Sequence, residues 1–102
     1  MNGNLHFYSS LTDWSGWDEA AVLKMQPHER AELAKSITCV GLLVDLSMDQ
    51  HAKVRESVAK NSFTPLPTLK RLAEEDLSMN IKTAAQETLK AIQNQPIPKD
   101  FQ

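Results

Sequence analysis

The stretch "DQHAKVRESVAKNSFTPLPTLKRLAEED", residues 49–76, decides the fold, because its two ends open the same pattern. Asp49 is followed five and six residues later by Val54 and Arg55. Asp76 is followed at the same offsets by Ile81 and Lys82. Each trio is an acid, a β-branched apolar residue and a base, and the two trios lie 27 residues apart. Self-similarity at a fixed period of this size is the mark of a helical repeat array, in which one supersecondary unit buries its apolar face against the next.

Working outward, the periodicity predicts helices throughout. A helix is expected from about Gln50 to Lys60, with Val54 and Val58 inward and Asn61 at its C-terminus. "SFTPLP" interrupts the chain, with Thr64 as the expected N-cap and Pro65 as the first helical residue. Leu66, Leu69, Leu72 and Ala73 share one face of the helix that follows. A last helix starts near Ser78 and ends before Pro96, burying Ile81, Ala84, Ala85, Leu89 and Ile92. Upstream, residues 27–47 read as one long helix. Pro27 suits its first turn, and Leu33, Ile37, Val40 and Val44 form a stripe at steps of four, three and four, which Leu42, Leu43 and Leu46 widen. A shorter helix is expected before it, capped by Asp13 or Ser15. The expectation is an all-α fold of about five helices: an irregular arm at 1–12, one domain at 13–95 and a tail at 96–102. The expected core is Leu33, Ile37, Val40, Val44, Val54, Val58, Leu69, Leu72, Ile81 and Leu89.

Composition agrees with this class. The chain has 102 residues, enough for one small core. Only three glycines occur, none after Gly41, which disfavours a turn-rich β-sandwich. Cys39 is the sole cysteine, so no intramolecular disulfide and no cysteine-based metal cluster can form. The opening "MNGNLHFYSS" lacks the charged and apolar regions of a secretory signal, and "CVGLLV" is too short to span a bilayer. A reducing, cytoplasmic location is therefore the expectation. Residues 1–49 hold three bases against seven acids, net −4, and residues 50–102 hold eight bases against six acids, net +2, matching the total of −2. That asymmetry suits docking between copies or to an oppositely charged partner.

The run "VR..VA.N..TP...L..LA", met by Val54, Arg55, Val58, Ala59, Asn61, Thr64, Pro65, Leu69, Leu72 and Ala73, resembles the variant leucine-rich repeats. The Asp49, Val54, Arg55 trio resembles the HEAT-like repeats. The resemblance covers about residues 42–92. It implies a short, right-handed HEAT-like stack with an N-terminal helical cap. It also implies that Asp49, Arg55, Asp76 and Lys82 form a polar ladder between neighbouring units. The second unit departs from the pattern, with Lys82 in place of Arg and Ala85 in place of the second Val.

No residue set reads as catalytic or metal-binding. His6, His28 and His51 stand apart without ligand spacing, and no glycine-rich phosphate loop occurs. No cofactor is expected. Trp14 and Trp17, three apart, suit either core packing or a partner anchor. Lys53, Lys60, Lys70 and Arg71 are candidate partner contacts. Glu56 and Glu74 lie among them at helical pairing distance, so these cations also read as a solvated face. The function expected is a non-catalytic protein–protein interaction module whose partner is another protein or a second copy, the latter giving a homodimer. The alternative is a nucleic-acid-binding helical repeat that uses the C-terminal bases. No membrane partner is expected.

Overall fold

The computed structural model describes residues 16–94, with side chains from Asp18 onward. These residues form six α-helices and no strand: α1 Gly16–Leu23, α2 Pro27–Ala34, α3 Val40–Leu46, α4 Ala52–Lys60, α5 Leu66–Glu75 and α6 Met79–Gln93. The arm at 1–12, the tail at 96–102 and Trp14 lie outside the described residues, and Trp17 is described only as backbone in α1.

Helices α2, α4 and α6 pack side by side in that order. Helix α5 packs on α6, while α3 lies against α4 and α2. One contiguous core joins them, from Val22 in α1 to Ala85 in α6. Seven of the ten expected core residues are buried: Leu33, Ile37, Val54, Val58, Leu69, Leu72 and Ile81. Val44 and Leu89 are only half-buried, and Val40 is 50% exposed.

Val40 marks the main departure from expectation. The segment 27–47 is two helices, not one, which raises the count from five to six. Helix α2 starts as its sequence suggests: Pro27 occupies the first turn, and the Gln26 backbone N–H donates to Glu29 Oε1 at 3.0 Å, half of a capping box. It ends at Ala34 because another part of the chain takes its C-terminal carbonyls. Asn61 Nδ2 donates to Ala34 O and Ile37 O, both at 2.9 Å. Carbonyls at a helix end need such partners when buried. Cys39 then adopts an extended conformation as the N-cap of α3. The break changes the face that α3 buries. Cys39, Leu42, Leu43 and Leu46 turn into the core, in place of the 40/44 stripe that a continuous helix would present.

Thr64 is a second correction. Helix α5 begins at Leu66 with Pro65 as its N-cap, so Thr64 does not cap it. The Thr64 hydroxyl instead donates to Val58 O at 2.8 Å and satisfies a carbonyl of the last turn of α4. Helix α6 starts where expected, with Ser78 as N-cap.

Candidate functional site

The residues with the most developed polar geometry lie along one edge, at the junctions that precede α2, α4 and α6. Each aspartate there does two jobs. Asp49 Oδ1 accepts the His51 backbone N–H at 2.9 Å, and Asp76 Oδ1 accepts the Ser78 backbone N–H at 2.9 Å. Each carboxylate thereby holds the start of the helix that follows. Each also receives an arginine from the preceding helix of the α2, α4, α6 row. Arg30 in α2 donates through Nε to Asp49 Oδ2 at 2.7 Å and through a terminal nitrogen to Oδ1 at 3.2 Å. Arg55 in α4 reaches Asp76 in the same way, at 2.9 and 3.5 Å. These are two-pronged contacts, the geometry for which a planar guanidinium is suited.

The remaining guanidinium donors face backward along the chain. Arg55 donates to Asp49 O at 2.8 Å. Arg30 donates to Met25 O and, at 3.4 Å, to Leu23 O. Each arginine thus ties the loop before its own helix to the loop before the next. The Arg30 and Asp49 side chains are 9% and 5% exposed, so this pair is almost wholly removed from water.

His51 borders the first pair. Its Nδ1 lies 3.1 Å from an Arg30 terminal nitrogen and 3.3 Å from Asp49 Oδ1. Nδ1 can accept from Arg30 or donate to Asp49, and which it does depends on the tautomer of the ring. Burial by itself pushes the Asp49 carboxyl up. Hydrogen bonds from Arg30 and the His51 backbone, with the Arg30 charge, outweigh burial and hold it below the ordinary carboxylate value.

A different carboxyl pair lies beside the edge. Asp45 Oδ2 is buried, and no N–H or hydroxyl reaches it. The Glu19 carboxyl of α1 adjoins Asp45, and a hydrogen bond between the two side chains pushes Glu19 above its ordinary value, aided by burial and the Asp45 charge.

Of the residues singled out from sequence, Asp49, Arg55 and Asp76 meet on this edge. Asp49 and Arg55 do not pair through their side chains; the partner of Asp49 is Arg30. Lys82 occupies the place of the arginine in α6 and makes no ion pair among the described residues. The expected partner contacts do not converge. Lys53 and Lys60 lie on α4 and both reach Glu56, at 3.7 and 3.5 Å. With His28 and Lys35 of α2 they line a groove of about 480 Å³. Lys70 is exposed on α5. Arg71 lies on the ladder edge, where a terminal nitrogen donates to Ser47 Oγ.

Sequence reasoning missed Arg30 and Thr88, and it placed Asn61 at the end of α4, where it lies, without its bonds to Ala34 and Ile37. Arg30 lacks the acid six residues earlier that flags Arg55, since Lys24 stands there. Thr88, 27 residues after Asn61, donates its hydroxyl to Ala59 O much as Asn61 donates to Ala34 O. The period itself was the signal for Thr88. Among the described residues no cluster of three or more histidines, cysteines or acids is placed to hold a metal ion. None of their helices is long and apolar enough to cross a membrane.

No protein-family model, curated protein or solved structure matches this chain.

Proposed function

We propose that the chain is a non-catalytic protein–protein interaction module, built as a short HEAT-like helical-repeat surface. The repeat reading is supported by bonds that recur one unit apart: arginine to the next aspartate, aspartate to the next helix start, and Asn61 or Thr88 to the end of the preceding helix of the row. The binding reading rests on one observation. Leu23, Met48, Leu77 and Met79, at the junctions along the ladder edge, are exposed by 50, 64, 99 and 71%. A row of large apolar side chains at successive junctions is a recurrent mark of an interaction surface.

Self-association is the simplest form of this reading, through the flank of α6, the last helix described, where Leu89 and Ile92 remain half-buried. Light scattering at micromolar concentration tests it. A mass of twice the 11.4 kDa chain supports a homodimer, and 11.4 kDa at every concentration makes the partner a different protein.

The nucleic-acid alternative has one observation in its favour. The α2/α4 groove holds three lysines against one glutamate. Titration of a labelled oligonucleotide tests it, since binding to phosphates falls steeply as salt rises whereas an apolar protein interface persists. Because Lys53 and Lys60 already share Glu56, the protein-binding reading is favoured.

A further inference from the structure

The ladder edge is also a trough. One depression, of about 310 Å³, is lined by Leu23, Arg30, Asp45, Met48, Asp49 and Gln50. A second, of about 470 Å³, continues it past Arg55 and Arg71 to Glu75, Asp76 and Leu77. The two meet at Met48, Asp49 and Gln50. Leu23, Met48 and Leu77 are therefore three apolar points along two adjoining depressions.

The charges of the trough choose among occupants. Its lining carries four carboxylates and three guanidiniums, net −1. Arg30 and Arg55 are saturated by Asp49 and Asp76, so they offer nothing to an incoming anion. Asp45 and Glu75 have no basic partner among the described residues. Arg71 is bonded to Ser47 Oγ and has no acid partner among the described residues, so two carboxylates face one guanidinium, and the surplus negative charge suits a chain that brings a cation between apolar side chains. The α2/α4 groove is basic but is lined by no large apolar side chain, so the groove of a second copy would not fill the channel.

We infer that the trough from Leu23 to Leu77 is the docking site for an extended partner-protein segment that sets a basic residue between apolar ones on one face, the cation facing Glu75. The inference rests on the protein-binding reading above and adds the surface and the partner chemistry. An extended chain turns every second side chain toward such a channel, so the fitting pattern sets a basic residue between apolar ones at positions i, i+2 and i+4.

Two capped peptides test it, with leucine, the varied residue and leucine at successive second positions and serine between them, identical except that the varied residue is lysine in one and glutamate in the other. Each is titrated into the ¹⁵N-labelled full chain at about 0.15 M salt, where exposed charges beyond ~8 Å are screened. The lysine peptide is expected to shift the amides of Leu23, Met48, Gln50 and Leu77, and to bind roughly tenfold more tightly than the glutamate peptide. Glu75→Lys is expected to remove that preference, and Leu77→Ser to weaken both peptides. Glu75 and Leu77 are exposed, so both variants should fold, which the same spectra report. Equal binding of the two peptides, absence of binding, or shifts centred on Lys35, Lys53 and Lys60 would overturn the inference. A dimer seen by light scattering alongside any of those results would leave the interaction reading standing and remove only this site.

Discussion

Arg30→Ala is the most informative single change. Arg30 contacts five polar atoms: both oxygens of Asp49, His51 Nδ1, and the carbonyls of Met25 and Leu23. Truncation leaves the Asp49 carboxylate, 5% exposed, with no guanidinium and only His51, through its backbone N–H and its ring, beside it. Removing one partner of a buried pair costs about 3–5 kcal/mol, because the other charge is left without compensation. The pair lies at an edge, so the lower value of about 3 kcal/mol applies, a fall in Tm of roughly 12–24 °C for a chain of this size. The pH dependence adds a second readout. In the native protein Asp49 has a depressed pKa, so its stabilisation is fully present above the unfolded value of about 3.9 and is lost as pH falls through the folded value. Without Arg30 the desolvation of Asp49 prevails and its pKa rises. The deficit of the variant should then shrink as pH falls through the native Asp49 value, below which the carboxyl is neutral in both proteins. Thermal melts by circular dichroism at a series of pH values measure both quantities. A Tm within about 2 °C of the parent at neutral pH, or a deficit that grows on acidification, would refute the ladder as a structural device.

Three further outcomes are expected. Asn61→Ala should cost about 2–4 kcal/mol, since it strands the carbonyls of Ala34 and Ile37, and hydrogen exchange should quicken around residues 36–40. Leu69→Ala should cost about 2–5 kcal/mol by urea denaturation, because the side chain is fully buried. Asp45→Asn should supply the hydrogen that the carboxyl pair lacks. Glu19 titrates above its ordinary value in the folded chain, so its destabilising effect begins as pH rises past the unfolded value and is complete above the folded one. Urea midpoints measured between about pH 4 and 7 should therefore decline less in the variant than in the parent.

The sequence by itself determined the helical class, the period and most of the core. Local periodicity placed Val54, Val58, Leu69, Leu72 and Ile81 on inward faces, because a helix that buries one side must repeat its apolar residues at helical spacing. Proline and capping signals placed the start of α2, and Ser78 that of α6, for reasons contained within a few residues. What the tertiary structure decided were events with partners far along the chain. The segment 27–47 has the pattern of one helix, yet its carbonyls at Ala34 and Ile37 are claimed by Asn61, more than twenty residues downstream. That contact divides the segment and turns Val40 outward, while Leu42, Leu43 and Leu46, which the sequence already set on the apolar stripe, are buried. Arg30 was hidden for the same reason: its acceptor lies 19 residues away, across two helices, and no local spacing reports it. The trough was equally unreadable, since Leu23, Met48 and Leu77 are isolated in sequence. They share an edge only because the row of α2, α4 and α6 sets successive junctions side by side, so that solvent contacts separated by 25 and 29 residues become one surface.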